Sequence, residues 1–104
     1  MTVKEFLHGL PRRVVPEALE GKDSLFHFLI SGDEGGEFTV RIRDGEVRVS
    51  DGLEGTPKCT VRAKDKHFMK VVNGEMNATM AVMTGKVKIS NLSEMMEYAK
   101  LLGF

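Results

Sequence analysis

The sequence predicts an α+β fold, in which helices cover one face of a five-stranded, mainly antiparallel sheet. Residues 24–64 contain runs that alternate between apolar and polar side chains, which is typical of strands. From residue 65 onward the apolar spacing changes to about 3.6 residues, which indicates amphipathic helices, with one further alternating run at residues 86–90. Because the strands and helices are largely segregated along the chain, the α+β class is favoured.

The clearest local element is a hairpin over residues 37–50. The alternating runs EFTVRIR and EVRVS flank an Asp-Gly pair, which is the strongest short hairpin pattern. With Asp44 and Gly45 as the loop, the predicted pairs are Arg43 with Glu46, Ile42 with Val47, Arg41 with Arg48 and Val40 with Val49. One face of the hairpin is then apolar and the other charged, so its arginines are interpreted as a solvated surface rather than a phosphate-binding site.

Three further runs predict the remaining strands. SLFHFLIS, at residues 24–31, is apolar on both faces, which favours a central position in the sheet. KCTVRAK and KVKIS alternate, and they place Cys59, Val61, Val87 and Ile89 toward the apolar face.

Each main predicted helix begins at a residue that can cap it. The predicted N-caps are Thr2, Asp65, Asn77 and Asn91. A glutamate stands three residues after the first and the last of these caps, as in a capping box. Pro11 is predicted to end the first helix, and Pro16 opens one more helical turn. The predicted apolar stripe of the last helix consists of Leu92, Met95, Met96, Ala99 and Leu102.

Length and composition predict one domain over residues 1–104, with a helical N-terminal segment at 1–22 and a core at 24–104. The chain has 41% apolar residues, 15 basic and 15 acidic residues, and no net charge. Because no basic stripe is present, a nucleic-acid partner is not expected. The chain lacks an apolar run of about 20 residues and a signal-peptide pattern, and it has one cysteine, so a cytoplasmic location is expected.

Few residues are candidates for catalysis. Cys59 could act as a nucleophile with His27 or His67 as its base, but it lies mid-strand on the predicted inward face, which favours a buried structural thiol. The three histidines have no metal-ligand spacing, and SGDEGGE is not followed by a helix as a phosphate loop would be. We therefore expect no catalytic residue, no metal and no cofactor, and a Cys59-dependent enzyme is the weakest hypothesis.

Methionine is concentrated in the predicted C-terminal helices. Six of the seven methionines lie there: Met69, Met76, Met80, Met83, Met95 and Met96. The side chain is flexible and polarizable, so it packs against apolar partners of different shape. The pattern is compatible with an ordinary helix core, with an adaptable ligand cavity or with a groove for a partner protein.

The run AVMTGKVKIS, at residues 81–90, resembles the hallmark of the sterol carrier protein 2 family, commonly written Ala-Phe-Met-x-Gly-Lys-Leu/Val-Lys-Ile/Val. GEFTVRIRDGEVRVSDG is similar to that family's central hairpin, TPKCTVRAKDKHFMKVVNGEM to its fourth strand and following helix, and SEMMEYAKLL to its final helix. The resemblance extends over residues 24–104. Val82 replaces the usual Phe, and Asn91 stands where Gly is common, which is still compatible with a left-handed turn.

The resemblance implies an apolar tunnel between sheet and helices that binds sterols, fatty acids, fatty acyl-CoAs or phospholipids without catalysis. It also implies the residues that line the tunnel, which are Phe68, Met69, Val72, Met76, Met80, Met83, Leu92, Met95, Met96 and Ala99. We expect a lipid-sized apolar ligand, transient membrane contact, and a movable lid formed by the last helix and the helix at residues 77–85. The alternative is an interaction or dimerisation module with the same fold and a collapsed cavity, which would form a homodimer.

Overall fold

The computed structural model describes residues 1–103 and has the predicted α+β fold, with helices against one face of a five-stranded sheet. The strands are β1 (Ser24–Ser31), β2 (Gly36–Arg43), β3 (Glu46–Asp51), β4 (Cys59–Lys64) and β5 (Val87–Ile89). Their order across the sheet is β3-β2-β1-β4-β5. Phe104, the last residue of the predicted core, lies outside the described residues.

The sheet is mainly antiparallel, as predicted, with one parallel pair. β1 is the central strand and pairs antiparallel with β2 and parallel with β4. The register predicted for the hairpin is confirmed at all four pairs, including Arg41 opposite Arg48. Asp44 and Gly45 have φ angles of 56° and 75°, which match the two left-handed positions of a type I′ turn.

Over residues 1–103, five α-helices and one 3₁₀ turn accompany the sheet. They are α1 (Val3–His8), α2 (Leu10–Arg13), the 3₁₀ turn (Pro16–Leu19), α3 (Asp65–Val72), α4 (Ala78–Met83) and α5 (Leu92–Leu102). Thr2 and Glu5 form the predicted capping box of α1. Pro11 does not end this helix. Instead α1 stops at the Gly9 cap, and Pro11 lies in the first turn of α2, where its missing N–H leaves no helical hydrogen bond unmade.

The core lies between the inner face of the sheet and the helices. Phe26, Phe28, Val40 and Ile42 are fully buried on β1 and β2. The N-terminal helices cover the part of the sheet that is formed by β2 and β3, and their fully buried side chains are Val3, Leu7 and Leu10. Within residues 1–103, no helix is both long enough and apolar enough to cross a membrane.

The C-terminal caps differ in part from the predictions. Asn77 and Asn91 cap α4 and α5 through their side chains. Asn91 has an extended backbone, with φ −137°, so the left-handed turn considered for it is not formed. Asp65 is the first residue of α3 and not its cap, and its carboxylate accepts N–H groups from Lys66 and from Glu34 in the β1–β2 loop.

The buried face of α5 also differs from the predicted stripe. Met95 and Leu102 are buried as expected, but the third buried residue is Tyr98, while Leu92 and Met96 are exposed. The ring of Tyr98 packs edge-on against Phe26, with 5.6 Å between the ring centroids. Because Tyr98 packs against the central strand, the side of α5 that carries Leu92 and Met96 faces outward.

Candidate functional site

An apolar cavity of about 110 Å³ lies between the sheet and the three C-terminal helices. Every residue that lines it is apolar. The lining residues are Phe28, Val61, Phe68, Val71, Ala78, Val82, Val87, Ile89, Met95 and Ala99.

Each wall of this cavity comes from a different part of the fold. Strands β1, β4 and β5 supply one side through Phe28, Val61, Val87 and Ile89, which lie on the inner face of the sheet. Helices α3, α4 and α5 supply two residues each on the opposite side. Phe28 of β1 and Phe68 of α3 meet edge to face, with ring centroids 5.9 Å apart, and so connect the two sides.

The structure brings three of the ten predicted lining residues to the cavity: Phe68, Met95 and Ala99. Met69, Val72 and Met76 are half-buried and pack against the hydrophobic core. The other four expose between 51% and 74% of their area, and they are Met80, Met83, Leu92 and Met96. The methionines therefore lie on or beside the helices that enclose the cavity, but most of their side chains do not line it.

Seven lining residues were not among the ten predicted. Strand alternation places Val61, Val87 and Ile89 on the inward face, so this signal could have found three of them. Val82 occupies the position where related sequences usually carry Phe, and here it is half-buried against the cavity. For the remaining residues no local pattern distinguishes a cavity wall from ordinary core.

The cavity offers burial and shape but no charged group. Because its lining is apolar, a ligand placed there would be held chiefly by removal of apolar surface from water. Ligand pockets in proteins usually measure about 300–1,000 Å³, so this cavity accepts only a short apolar segment unless the helices move apart.

The potential catalytic groups do not form a reactive cluster. Cys59 is fully buried, and burial raises the pKa of its thiol, which disfavours the reactive thiolate. Its Sγ donates a weak hydrogen bond to the Asn91 carbonyl at 3.4 Å. Over residues 1–103, no group of three or more His, Cys, Asp and Glu side chains is arranged to hold a metal ion.

Helices α4 and α5 are attached to the rest of the molecule very differently. Three side-chain hydrogen bonds join α5 to the segment before and at the start of β1: Ser24 to Glu94 at 2.5 Å, Lys22 to Glu97 at 3.4 Å, and the Tyr98 hydroxyl to the Asp23 carbonyl at 3.4 Å. By contrast, the hydrogen bonds described for α4 all stay within residues 77–86, and Ala81 is its one buried residue. Thus the described side-chain hydrogen bonds anchor α5 to the start of β1, whereas α4 lies against β5 without such bonds.

Comparison with known proteins relates this architecture to a family. The sequence model of the SCP-2 sterol transfer family matches residues 4–103. The chain is 29% identical over 103 residues to hydroxysteroid dehydrogenase-like protein 2 of Xenopus tropicalis, a match that spans 97% of this chain and 25% of the relative. The chain therefore spans about a quarter of the length of this curated relative.

Two solved structures have the same fold. Palmitated SCP2L2 from Aedes aegypti superposes with a TM-score of 0.76 at 19% identity, over 100% of this chain and 96% of that chain. The sec-alkylsulfatase Pisa1 from Pseudomonas sp. superposes with a TM-score of 0.79 at 16% identity, over 99% of this chain and 16% of the sulfatase.

The matches thus include both small proteins of the same length and segments of longer enzymes. Domains of this kind are typically lipid carriers without catalytic activity, although some larger enzymes also contain them. Since the family model covers nearly the whole chain, this protein belongs to the SCP-2 sterol transfer family, whose domains bind or transfer lipids.

Proposed function

We propose that the chain is a non-catalytic carrier of one apolar ligand, such as a fatty acid, a fatty acyl-CoA, a sterol-like molecule or a phospholipid. The observation that carries this proposal is the wholly apolar cavity between the sheet and helices α3 to α5. Each methylene group that enters it from water contributes about 0.8 kcal/mol, so a long acyl chain binds with few polar contacts.

Entry of such a ligand requires the cavity to enlarge, and we infer that α4 is the helix that moves. Its Ala78 and Val82 line the cavity, yet its hydrogen bonds remain local and only Ala81 is buried. An element with few buried apolar contacts opens at lower free energy than one that is anchored to the core. The anchoring of α5 therefore supports a lid made of α4 alone, rather than of both helices.

The ten residues predicted from the sequence then take different roles in the proposed site. Phe68, Met95 and Ala99 contact the first segment of the ligand that enters the cavity. Met69, Val72 and Met76 are half-buried against the core. Their side chains repack as the cavity widens, because the flexible methionine side chain adapts to new neighbours at modest cost. The exposed residues form the outer rim, and they are Met80, Met83, Leu92 and Met96.

The direct test is ligand binding by a variant whose cavity is filled. Ala99→Phe places a ring in the cavity, and we expect it to weaken the binding of a fluorescent fatty acid at least roughly tenfold, because several buried methylene contacts are lost. Thr79→Phe makes the same kind of change on the exposed surface of α4, outside the cavity lining, and serves as the matched control. Equal binding by both variants and the wild type would place the ligand elsewhere.

A second candidate function is favoured by the exposed apolar side chains of α4 and α5. With a cavity of only about 110 Å³, the fold could serve as an interaction or dimerisation module whose contact surface includes Met83 and Met96. Native mass spectrometry separates the two functions. Lipid-sized mass bound to the purified monomer supports the carrier, whereas a ligand-free homodimer supports the module.

We further propose that the chain forms one domain and works in the cytoplasm, with transient contact to membranes from which it takes its ligand. The buried free thiol of Cys59 is compatible with a reducing compartment. Contact with a membrane follows from the ligand's chemistry, since a long apolar chain leaves a bilayer most readily into a protein that touches the surface.

A further inference from the structure

A basic groove of about 560 Å³ lies at the corner where β4 and β5 approach the start of α3 and the end of α4. Among the described residues that line it, five have basic side chains: Arg62, Lys64, His67, Lys86 and Lys88. Glu37 is the only acidic residue in this lining. We refer to the five residues as the basic corner. The arginine, the three lysines and the glutamate of this lining carry four positive charges and one negative charge.

Within residues 1–103, the Arg and Lys side chains of the basic corner have no acidic partner in a described ion pair. Arg62 and Lys88 stand directly opposite each other on β4 and β5, a like-charge pairing that weakens a sheet. No ion pair described in residues 1–103 includes Arg62, Lys64, Lys86 or Lys88. The hairpin at the opposite edge differs, because its Arg43 and Arg48 each have a carboxylate within 4 Å. Local positive charge on a chain of zero net charge indicates an anionic partner from outside the molecule.

Exposed apolar side chains lie on α4, the helix that ends just before Lys86 of the basic corner. Met80 and Met83 lie on α4, and the N–H of Lys86 donates to the Ala81 carbonyl at 2.9 Å, so the corner begins where α4 ends. Apolar side chains beside lysines are the combination found on protein surfaces that enter the headgroup region of a bilayer. A free anion would be recognised by the cations alone, and it would leave the methionines unused.

We propose that the basic corner, together with Met80 and Met83, docks on an anionic phospholipid surface. The proposal rests on the carrier function above, and it adds the surface and the lipid charge. Docking in this orientation brings α4, the inferred lid, against the membrane. Opening of α4 then exposes the cavity toward the bilayer rather than toward water.

The test is cosedimentation of the full chain with vesicles of phosphatidylcholine alone and with vesicles that also contain phosphatidylglycerol. We expect the wild type to bind the mixed vesicles at about 0.1 M salt and to be released at about 1 M, because salt screens exposed charges. Each lysine near an anionic surface contributes about fivefold to binding, so Lys86→Gln/Lys88→Gln should weaken it roughly 25-fold. Met80→Ser/Met83→Ser should also weaken binding to the mixed vesicles at about 0.1 M salt, because the apolar contribution to binding is lost.

A matched control removes two positive charges elsewhere. Lys4→Gln/Arg12→Gln alters the helices next to β3, at the opposite edge of the sheet, and should change binding by no more than about twofold. Equal losses of binding in the control and in Lys86→Gln/Lys88→Gln would overturn the proposal, as would wild-type binding that is independent of phosphatidylglycerol.

Native mass spectrometry of Lys86→Gln/Lys88→Gln distinguishes the docking proposal from the carrier function. Retained lipid with lost vesicle binding supports the docking surface, whereas absence of lipid from the wild type as well would contradict the carrier function.

Discussion

The hydroxyl of Ser24 donates a hydrogen bond of 2.5 Å to the carboxylate of Glu94, and so joins the first residue of β1 to the first turn of α5 across 70 positions of sequence. Ser24 is buried and Glu94 is half-buried, so the bond is shielded from water. The N–H of Glu94 meanwhile bonds to the Asn91 side chain. The Glu94 carboxylate therefore points to Ser24 and not to the N–H of Asn91, which it would accept in a capping box.

Loss of this bond should destabilise the fold measurably. Ser24→Ala leaves a half-buried carboxylate without its donor, and we expect the free energy of unfolding to fall by about 1–2 kcal/mol. Urea denaturation measures the change. Ser93→Ala alters an exposed serine of the same helix and should stay within about 0.5 kcal/mol of wild type. Equal stability of the two variants would show that the Ser24 bond contributes nothing.

The inferred mobility of α4 predicts a pattern of amide hydrogen exchange. Amides of α4 should exchange faster than those of α5, because α4 lacks the anchoring contacts that Glu94, Glu97 and Tyr98 provide. Addition of a long-chain fatty acid should slow exchange in α4, since the ligand adds buried contacts there. The amides of β1 serve as an internal reference, because this central strand should exchange slowly in both conditions. Exchange in α5 as fast as in α4 would contradict the single-helix lid.

The cavity beside Val82 predicts the effect of a larger residue. Val82→Phe introduces the side chain that related sequences usually carry, and its ring should occupy empty volume, so the free energy of unfolding should rise by about 1 kcal/mol. Thermal and urea unfolding measure this. Val15→Phe enlarges an exposed valine outside the cavity and should have little effect. A loss of about 1–3 kcal/mol in Val82→Phe would mean that the ring overpacks the site.

Asp65 predicts a pH dependence of stability. Its carboxylate accepts N–H groups from Glu34 at 3.0 Å and from Lys66 at 2.7 Å, and these bonds hold its pKa below the ordinary value of 3.8. Because the folded-state pKa is the lower one, the charged form stabilises the fold above the unfolded-state value. This contribution is lost as the pH falls through the folded-state pKa.

Unfolding of Asp65→Asn at two pH values tests this sign. The variant should be less stable than wild type near pH ~7, and the difference should shrink below pH ~4, where the wild-type carboxylate becomes protonated. Asp33→Asn changes an exposed aspartate of the neighbouring loop and is the matched control. A difference between wild type and Asp65→Asn that grows on acidification would contradict the assignment.

The elements that depend on neighbouring residues could be predicted from the sequence. The register of β2 and β3 follows from the Asp44-Gly45 turn and the alternation of side chains, and both act within a few residues. The caps Thr2, Asn77 and Asn91 were predicted for the same reason, since each bonds to an N–H three residues away. The motif at residues 81–90 additionally indicated the family, and therefore the layered architecture.

The sequence by itself thus determined the class, the strands and most helix boundaries, because these rest on short-range sterics and hydrogen bonds. The tertiary structure decided which face of each helix is buried and where the cavity lies. Tyr98 rather than Met96 enters the core because Phe26, 72 residues earlier in the chain, packs against its ring. The lining of the cavity joins β1, β4, β5 and three helices, and such long-range contacts depend on how the layers close together rather than on any local pattern.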